Sequence, residues 1–221
     1  MTNSGSIGQI IKMKSLSEIE TTAKRASKAA GFSWGEAEEI GKCIRQLEMF
    51  GLPGIKHLNS YFNDKKKNTY ENLSSINQLN SSSSNPYCPI ILGISFLDQL
   101  KIVENYEKIF FSNIAYPIIF LSFLSRSSEI SGKKINVKFD EKEIFLNLNV
   151  NIYSNFLNLE FPKNSKNLEI NFIDNKDSFN EDEWTSLYKL SENTFVDETD
   201  SLKEGAAGAG LTDNDLSLIH I

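Results

Sequence analysis

The stretch SLSEIETTAKRASKAAGFSWGEAEEIGKCIRQLEMFGLPG, residues 15–54, predicts two consecutive helices. Small and apolar residues recur in it at steps of three and four, which is the spacing of one apolar helix face. The first face carries Leu16, Ile19, Ala23, Ala26 and Ala30, and the second carries Ala37, Ile40, Gly41, Ile44 and Leu47. Because many of these side chains are small, we expect the two helices to approach closely as a hairpin.

Both helices have clear start signals. Ser15 with Glu18, and Ser33 with Glu36, match the S-x-x-E capping box, in which each residue satisfies a free backbone N–H group near the other. Gly31 can adopt the left-handed conformation that ends the first helix. The boundary between the two helices is therefore predicted to lie near this glycine.

A third, short helix is predicted after the break GLPG at residues 51–54. Its apolar face carries Ile55, Leu58 and Phe62. The helical hairpin is thus expected to span residues 13–62. Residues 63–85 are polar and end in four serines, so we expect a linker or a long surface loop there, with its lysine run Lys65 to Lys67 in solvent.

After Pro86 the hydrophobic period changes to two, which is typical of strands with one buried face. Apolar and polar residues alternate on both sides of DEKE (140–143) and of PKNSKN (162–167), which predicts two β-hairpins. The first has Ile135, Val137 and Phe139 facing Ile144, Leu146, Leu148, Val150 and Ile152; the second has Leu157, Leu159 and Phe161 facing Leu168, Ile170 and Phe172. The run 114–124 does not alternate; it fits a strand covered on both faces or a short buried helix, and Pro117 weakens both interpretations.

A last helix is predicted from Asn180 as N-cap, with Glu183 at its third position. Its apolar side carries Trp184, Leu187, Tyr188 and Leu190. The fold class is therefore α+β: an N-terminal helical hairpin, a mostly antiparallel β-sheet, a C-terminal helix and a glycine-rich tail. Residues 86–204 are expected to form the sheet and the last helix, and to pack with residues 13–62 as one domain.

Both ends of the chain are expected to lie outside this domain. Residues 1–12 have no periodicity, and we interpret them as a non-native or disordered extension. Residues 205–221 form a glycine-rich acidic tail. Its last part, 216–221, is similar to translated adapter sequence and is expected to be artefactual.

The composition argues against several classes of function. The net charge is −6, with 23 basic and 29 acidic residues, whereas nucleic-acid binding needs clustered lysine and arginine. No apolar run reaches the length of about 20 residues that a membrane-spanning helix needs. Cys43, Cys88 and His57 do not make a closed zinc site, and Cys43 is expected to be a buried structural thiol. We expect a soluble cytoplasmic protein without a nucleic-acid or membrane partner, and the sequence assigns no cofactor.

Two parts of the chain together resemble a known family. Residues 30–39 read A-G-x-x-W-G-x-A-E-E, followed by GLPG at 51–54 and by GAAGAGLTDND at 205–215. These motifs resemble an uncharacterised bacterial family, domain of unknown function 3726. The resemblance implies that Met13 is the start of the protein, and it implies no activity.

A weaker similarity covers about 45 residues at the N-terminus. The pattern A-A-G-x-S and the later MFGLPGIKHLNSY (49–61) are similar to the opening helices of the malate/L-lactate/sulfolactate dehydrogenase family. That family has a serine and a catalytic histidine where this chain has Gly54 and Ile55, and His57 lies two residues further on. The catalytic pair that this resemblance implies is therefore absent.

The tail is the first candidate for a ligand site. Glycine-rich backbone can direct its N–H groups at an anion, and here Gly208 and Gly210 would do so. The following oxygen ligands, Thr212, Asp213, Asn214 and Asp215, suit Mg²⁺ or Ca²⁺, and Asp213 with Asp215 would be the metal ligands. The Lys-Ser/Thr pair of a P-loop and the closing glutamate of an EF-hand are both missing, and a terminal segment in solvent explains the same composition.

Trp34 is the second candidate. An aromatic residue in the first turn of a helix usually packs into the hairpin core, and we favour that role over ligand stacking.

Two functional hypotheses remain. The first is a non-catalytic binding or accessory protein that works beside a metabolic enzyme, because no catalytic triad, metal cluster or complete nucleotide loop is present in the sequence. The second is a small-molecule enzyme whose site forms between the tail and the N-terminal hairpin. The partners expected are accordingly a protein or a small anionic ligand, and the oligomeric state is not predicted.

Overall fold

The computed structural model describes residues 13–156 and 160–195. The three predicted N-terminal helices are present as α1 (Leu16–Ala29), α2 (Trp34–Met49) and α3 (Gly54–Lys65). Both hydrogen bonds of the predicted capping box at Ser33 and Glu36 are formed. Between α1 and α2, Gly41 lies so close to the backbone of Glu20 that a Cβ atom would come within 2.9 Å of its carbonyl oxygen. The prediction of a closely packed hairpin is therefore confirmed.

A six-stranded sheet follows. Its strands are β1 (Leu79–Asn80), β2 (Ile109–Ala115), β3 (Lys134–Phe139), β4 (Lys142–Asn147), β5 (Asn151–Ser154) and β6 (Asn164–Ile173). They lie in the order β1-β2-β6-β3-β4-β5. Among these described strands, β1 and β2 pair in parallel and the other four pairings are antiparallel. The α+β class holds, with a mixed sheet that is mostly antiparallel.

The second predicted hairpin is wrong in its pairing. Strand β6 contains the predicted Leu168, Ile170 and Phe172, but its two edges are taken by β2 and β3. Residues 157–159 lie outside the described residues, and Phe161 is buried without belonging to a strand. The alternation of apolar and polar residues indicates which face of a strand is buried. It does not indicate which strand it pairs with, because that depends on contacts between residues distant along the chain.

The predicted long strand from Ile144 to Ile152 is interrupted by a turn of three residues, 148–150. Leu148 and Asn149 have positive φ angles of 50° and 59°, and the Val150 N–H donates to the carbonyl of Asn147 at 2.9 Å, which reverses the chain. This turn brings Ile152 opposite Leu146. The alternating pattern continues through the turn, which is why the sequence predicted one strand instead of two.

Three helices lie between and after the early strands: α4 (Pro89–Asp98), the short α5 (Leu100–Val103) and α6 (Pro117–Ser131). Every residue of α6 from Pro117 to Ser125 is buried. Of the two interpretations of residues 114–124, the chain uses the end of β2 and then a buried helix. Pro117 stands at the first helical position, where its missing N–H group has no helical partner to lose. No helix in the described part of the chain is long and apolar enough to span a membrane.

The segment between α3 and α4 makes specific contacts. Strand β1 adds to β2, and Tyr87 bridges Glu71 on one side and Ile114 on the other. Ile76 is buried in the core. Residues 63–85, for which we expected a linker or a long surface loop, thus extend the edge of the sheet over part of their length.

The chain divides after Asn175 into two compact units. The core helices α1 to α6 and the whole sheet belong to the first unit. The helix α7 (Glu181–Glu192) belongs to the second, where Asn180 is the N-cap as predicted and forms a capping box with Glu183.

Candidate functional site

Of the candidate residues predicted from the sequence, only Trp34 lies among the described residues. Gly208, Gly210, Thr212, Asp213, Asn214 and Asp215 all lie outside the described residues, so a site in the tail stays a prediction. Trp34 is 58% exposed, which makes the expected role in the hairpin core wrong. Phe32 takes that role, since it is buried against Tyr61 and Phe62. Trp34 instead lies under the ammonium group of Lys28, 5.5 Å from its ring centre.

Three residues that are far apart in sequence meet at the end of α3. Asp64 lies in the last turn of this helix, Tyr116 lies between β2 and α6, and Lys163 precedes β6. The Tyr116 hydroxyl donates a hydrogen bond of 2.5 Å to Asp64 Oδ2, and Lys163 Nζ lies 3.0 Å from the same oxygen. The carboxylate is thus held in place by a hydroxyl group and a cation.

These contacts fix the protonation states. The hydrogen bond from Tyr116, and then that from Lys163, lower the pKa of Asp64, so that it is a carboxylate at neutral pH. Burial, and secondly the bond to Asp64, raise the pKa of Tyr116, which therefore keeps its proton. The pair is a stable donor and acceptor, and neither group is poised to move a proton near neutral pH.

The backbone of Tyr116 is strained. Its φ and ψ angles of 44° and 61° are left-handed, a conformation that costs a non-glycine residue roughly 1–2 kcal/mol. The surroundings impose it: the Tyr116 N–H donates to the carbonyl of Lys163, and the buried ring lies edge-on against Tyr61 and His57. Strain of this kind concentrates at functional sites, where the surrounding structure holds it.

Asp64 and Tyr116 form one side of a cleft of about 390 Å³, which we call the tyrosine cleft. This volume lies in the range of sites for small molecules. The other lining residues are Lys67, Asn68, Thr69, Tyr70, Asn85, Pro86 and Asn164. A second cleft of about 400 Å³ shares residues 68–70 with it and contains Cys88 and Lys65. The Tyr70 ring, stacked on Tyr61 at 5.2 Å, therefore stands as a wall between the two clefts.

Glu71 holds the serine loop, residues 81–85, against the tyrosine cleft. Its carboxylate accepts hydrogen bonds from the backbone N–H groups of Ser83, Ser84 and Asn85 and from the Ser83 hydroxyl, over 2.7–3.1 Å. These donors, the Asn85 N–H first, lower the pKa of Glu71 from its ordinary 4.5 to about 2. The loop that contributes Asn85 to the cleft is thus fixed by one charged group.

We expect the stability of the protein to depend on Glu71 in a defined pH range. Because the pKa of Glu71 is lower in the folded state, its contribution to the free energy of unfolding is complete above pH 4.5 and is lost as the pH falls toward about 2. Urea unfolding should therefore find wild type more stable than Glu71→Gln at about pH 6, with a smaller difference at about pH 3. An equal difference at both pH values would mean that the carboxylate charge does not hold the loop.

Burial keeps the two cysteine thiols protonated and His57 neutral. Burial raises the pKa of the Cys43 thiol to about 12, and burial also raises that of Cys88, whose sulfur lies 3.1 Å from the Tyr61 hydroxyl. His57 is 7% exposed, and its Nδ1 has no hydrogen-bond partner among the residues that the structure describes. Burial, Lys56 and Lys163 lower its pKa, so it is neutral. Its ring neighbours are Tyr116 and Phe161, which gives it a packing role.

An apolar groove of about 290 Å³ lies between α1 and α3, lined among others by Ile19, Ile55 and Phe62. Across residues 13–156 and 160–195, no group of three or more histidine, cysteine, aspartate or glutamate side chains could hold a metal ion. The tyrosine cleft brings charged, amide and aromatic groups together beside the fixed Asp64 carboxylate, and we take it as the candidate site.

Comparison with known proteins gives one match. Residues 14–88 match the model of a family described as Protein of unknown function (DUF3726). The match covers α1, α2, α3 and the segment up to Cys88, which confirms the resemblance over that part of the chain and includes Asp64, Lys67 and Tyr70. No curated protein and no solved structure matches the chain. The similarity to the malate/L-lactate/sulfolactate dehydrogenase family therefore stays a prediction.

Proposed function

We propose that this chain is a non-catalytic binding protein that holds a small anionic ligand in the tyrosine cleft. The observation that carries the proposal is the fixed Asp64 carboxylate, which Lys163 neutralises at 3.0 Å while Lys67 lines the same cleft. A site with one neutralised carboxylate and one further lysine has a net positive charge.

The charge of Lys67 is available to a ligand. It has no salt bridge among the described residues, and its positive charge is the weakest of the effects that lower the pKa of Asp64, after those of Tyr116 and Lys163. Its backbone N–H donates to the carbonyl of Asp64 at 2.9 Å, which fixes the start of the lysine side chain beside the cleft. An ammonium group in this position favours a carboxylate or phosphate group.

The uncharged lining suits the rest of a small ligand. Asn68, Asn85 and Asn164 bring amide groups that donate and accept hydrogen bonds, and Tyr70 offers an aromatic wall. Small-molecule sites commonly combine an apolar wall with a few convergent polar groups. The ligand class that fits is a small carboxylic acid with a short apolar or polar body.

The state of the titratable groups supports a binding role. Tyr116 keeps its proton, Asp64 stays ionised, burial raises the pKa of both thiols, and burial lowers the pKa of His57. The competing hypothesis, an enzyme whose site includes Asp213 and Asp215, concerns residues outside the described part of the chain. It stays a prediction.

A thermal-shift screen tests the proposal. The panel is acetate, malonate, succinate and inorganic phosphate at matched ionic strength, with malonamide as the neutral analogue of malonate. A ligand at 100 times its dissociation constant adds about 2.7 kcal/mol, which raises the Tm of a domain of this size by roughly 5–11 °C. We expect a saturable rise with at least one carboxylate and none with malonamide.

The matched variants are Lys67→Glu and Lys66→Glu. Both reverse one charge on adjacent exposed residues, but only Lys67 lines the tyrosine cleft. We expect Lys67→Glu to abolish the ligand-induced rise and Lys66→Glu to retain it. An equal loss in both variants would point to general attraction of anions, and a rise that survives Lys67→Glu would place the ligand elsewhere; either result would overturn the proposal.

A further inference from the structure

We propose that α7 is a docking helix for a protein partner that presents an apolar groove bordered by lysine and arginine. The proposal is independent of the tyrosine cleft, because α7 belongs to the second compact unit of the chain. It rests on three properties of this helix: its exposed apolar face, its preformed start and its charge.

The apolar side chains of α7 are exposed by about half or more of their surface. Trp184, Leu187 and Tyr188 stand at i, i+3 and i+4 and therefore share one face of the helix. They are 50%, 63% and 49% exposed, and Leu190 beside them is 65% exposed. No residue of α7 is buried. A contiguous exposed patch that contains two aromatic rings is typical of an interaction surface, since tryptophan and tyrosine are enriched among the residues that contribute most to binding.

The helix is organised before any partner binds. The Asn180 side chain accepts from the backbone N–H of Glu183, and the Glu183 carboxylate accepts from that of Asn180, at 2.9 and 2.8 Å. Phe179, just before the cap, stacks on Trp184 at 5.6 Å, which is the position of a hydrophobic staple. A preformed helix loses less conformational entropy on binding, so more of the contact energy appears as affinity.

The acidic residues of α7 indicate which kind of partner surface it would bind. Within α7, Glu181, Asp182, Glu183 and Glu192 are acidic, and Lys189 is basic. Glu181 stands three residues before Trp184, and Glu192 stands four residues after Tyr188, so both border the apolar face. Acidic residues at this border favour a groove rimmed by basic side chains and disfavour an anionic membrane surface. The binding mode is that of an amphipathic helix in a groove.

A fluorescence titration of the full chain tests this inference. The chain has two tryptophans, so Trp34→Phe leaves Trp184 as the reporter. The probe is a synthetic amphipathic helical peptide with a leucine face bordered by lysines, and the matched peptide has glutamates in place of the lysines. We expect a saturable blue shift of the Trp184 emission with the leucine–lysine peptide and no shift with the leucine–glutamate peptide.

Two variants separate docking from simple charge attraction. Leu187→Asp adds a negative charge on the apolar face, and Ser186→Asp adds the same charge two residues away from Trp184, on another face of α7. We expect Leu187→Asp to weaken binding of the leucine–lysine peptide at least about tenfold, because a central apolar anchor is lost, and Ser186→Asp to leave it within about twofold.

Several outcomes would overturn the inference. Equal or tighter binding by Leu187→Asp would show that only charge attracts the peptide. A blue shift with the leucine–glutamate peptide or with anionic lipid vesicles would show that binding does not require a basic border on the partner. A blue shift that grows with the concentration of the chain alone would show that a second copy covers the helix.

Discussion

Replacing Tyr116 with alanine is expected to lower the free energy of unfolding by about 3–5 kcal/mol. The side chain is 1% exposed, packs edge-on against Tyr61 and His57, and donates to Asp64. Its loss leaves a cavity beneath the tyrosine cleft and removes a hydrogen bond to a carboxylate. Urea unfolding at neutral pH measures the change, which corresponds to a fall in Tm of roughly 10 °C or more.

Tyr116→Gly provides the matched control, because the backbone at this position has a positive φ. Glycine adopts this left-handed conformation without steric strain, whereas the Cβ atom of alanine makes it strained. We therefore expect the glycine variant to be more stable than the alanine variant by about 1 kcal/mol, the reverse of the usual order within ordered elements. A glycine variant less stable than the alanine variant would mean that the backbone is not strained there.

Replacing Gly93 with alanine is expected to cost about 2–3 kcal/mol of stability. Gly93 lies in the middle of α4, where a Cβ atom would come within 2.2 Å of Cδ2 and 2.3 Å of Cγ of the Phe123 ring in α6. Phe123 is fully buried, so the ring has no solvent-filled space to move into. The overpacking outweighs the gain of about 1 kcal/mol in helix propensity that alanine normally brings.

Gly35→Ala is the control for Gly93→Ala. It also lies in a helix, α2, but a Cβ atom there would have no neighbour within 4 Å. We expect this variant to be as stable as wild type or more stable by up to about 1 kcal/mol. In the Gly93→Ala background, Phe123→Leu should restore part of the lost stability by making room for the methyl group. Equal effects of the two alanine substitutions in urea unfolding would rule out the close contact between α4 and α6.

The helices that the sequence predicted are those with local signals. The capping boxes at Ser33 and Asn180 depend on residues three apart, and both form as expected. The amphipathic faces of α1 and α2 follow from spacing alone, since one face is buried and the other is wet. These features need no knowledge of the rest of the chain, which is why they were predictable.

The buried helices were harder to predict because they do not have one apolar face and one polar face. In α6 both faces are covered, so apolar residues do not recur with a helical period. Pro117 was taken to weaken a helix, although at the first helical position it is compatible with one. The missed helix α4, PIILGISFLD, has the same character: it is apolar on most sides, and it also begins with proline.

The tyrosine cleft could not be predicted because its residues come from four distant parts of the chain. Asp64, Asn85, Tyr116 and Asn164 meet only when α3, the serine loop, the start of α6 and the start of β6 are in place. One local signal was present: Lys67 belongs to the lysine run that we assigned to a linker in solvent. Trp34 misled the prediction. Its place in the first turn of α2 suggested that it is buried in the hairpin core, but Phe32, two residues earlier, occupies the core instead.

Amide NMR spectra recorded during a titration with malonate test the central claim, ligand binding in the tyrosine cleft, most directly. The cleft predicts saturable shifts of the backbone amides of Lys67, Asn68, Thr69, Tyr70, Asn85 and Asn164, with no comparable shifts after titration with malonamide. In Lys67→Glu the same amides should no longer respond to malonate, and in Lys66→Glu they should respond as in wild type. Shifts confined to the groove between α1 and α3, or no saturable shift at any amide, would contradict the claim.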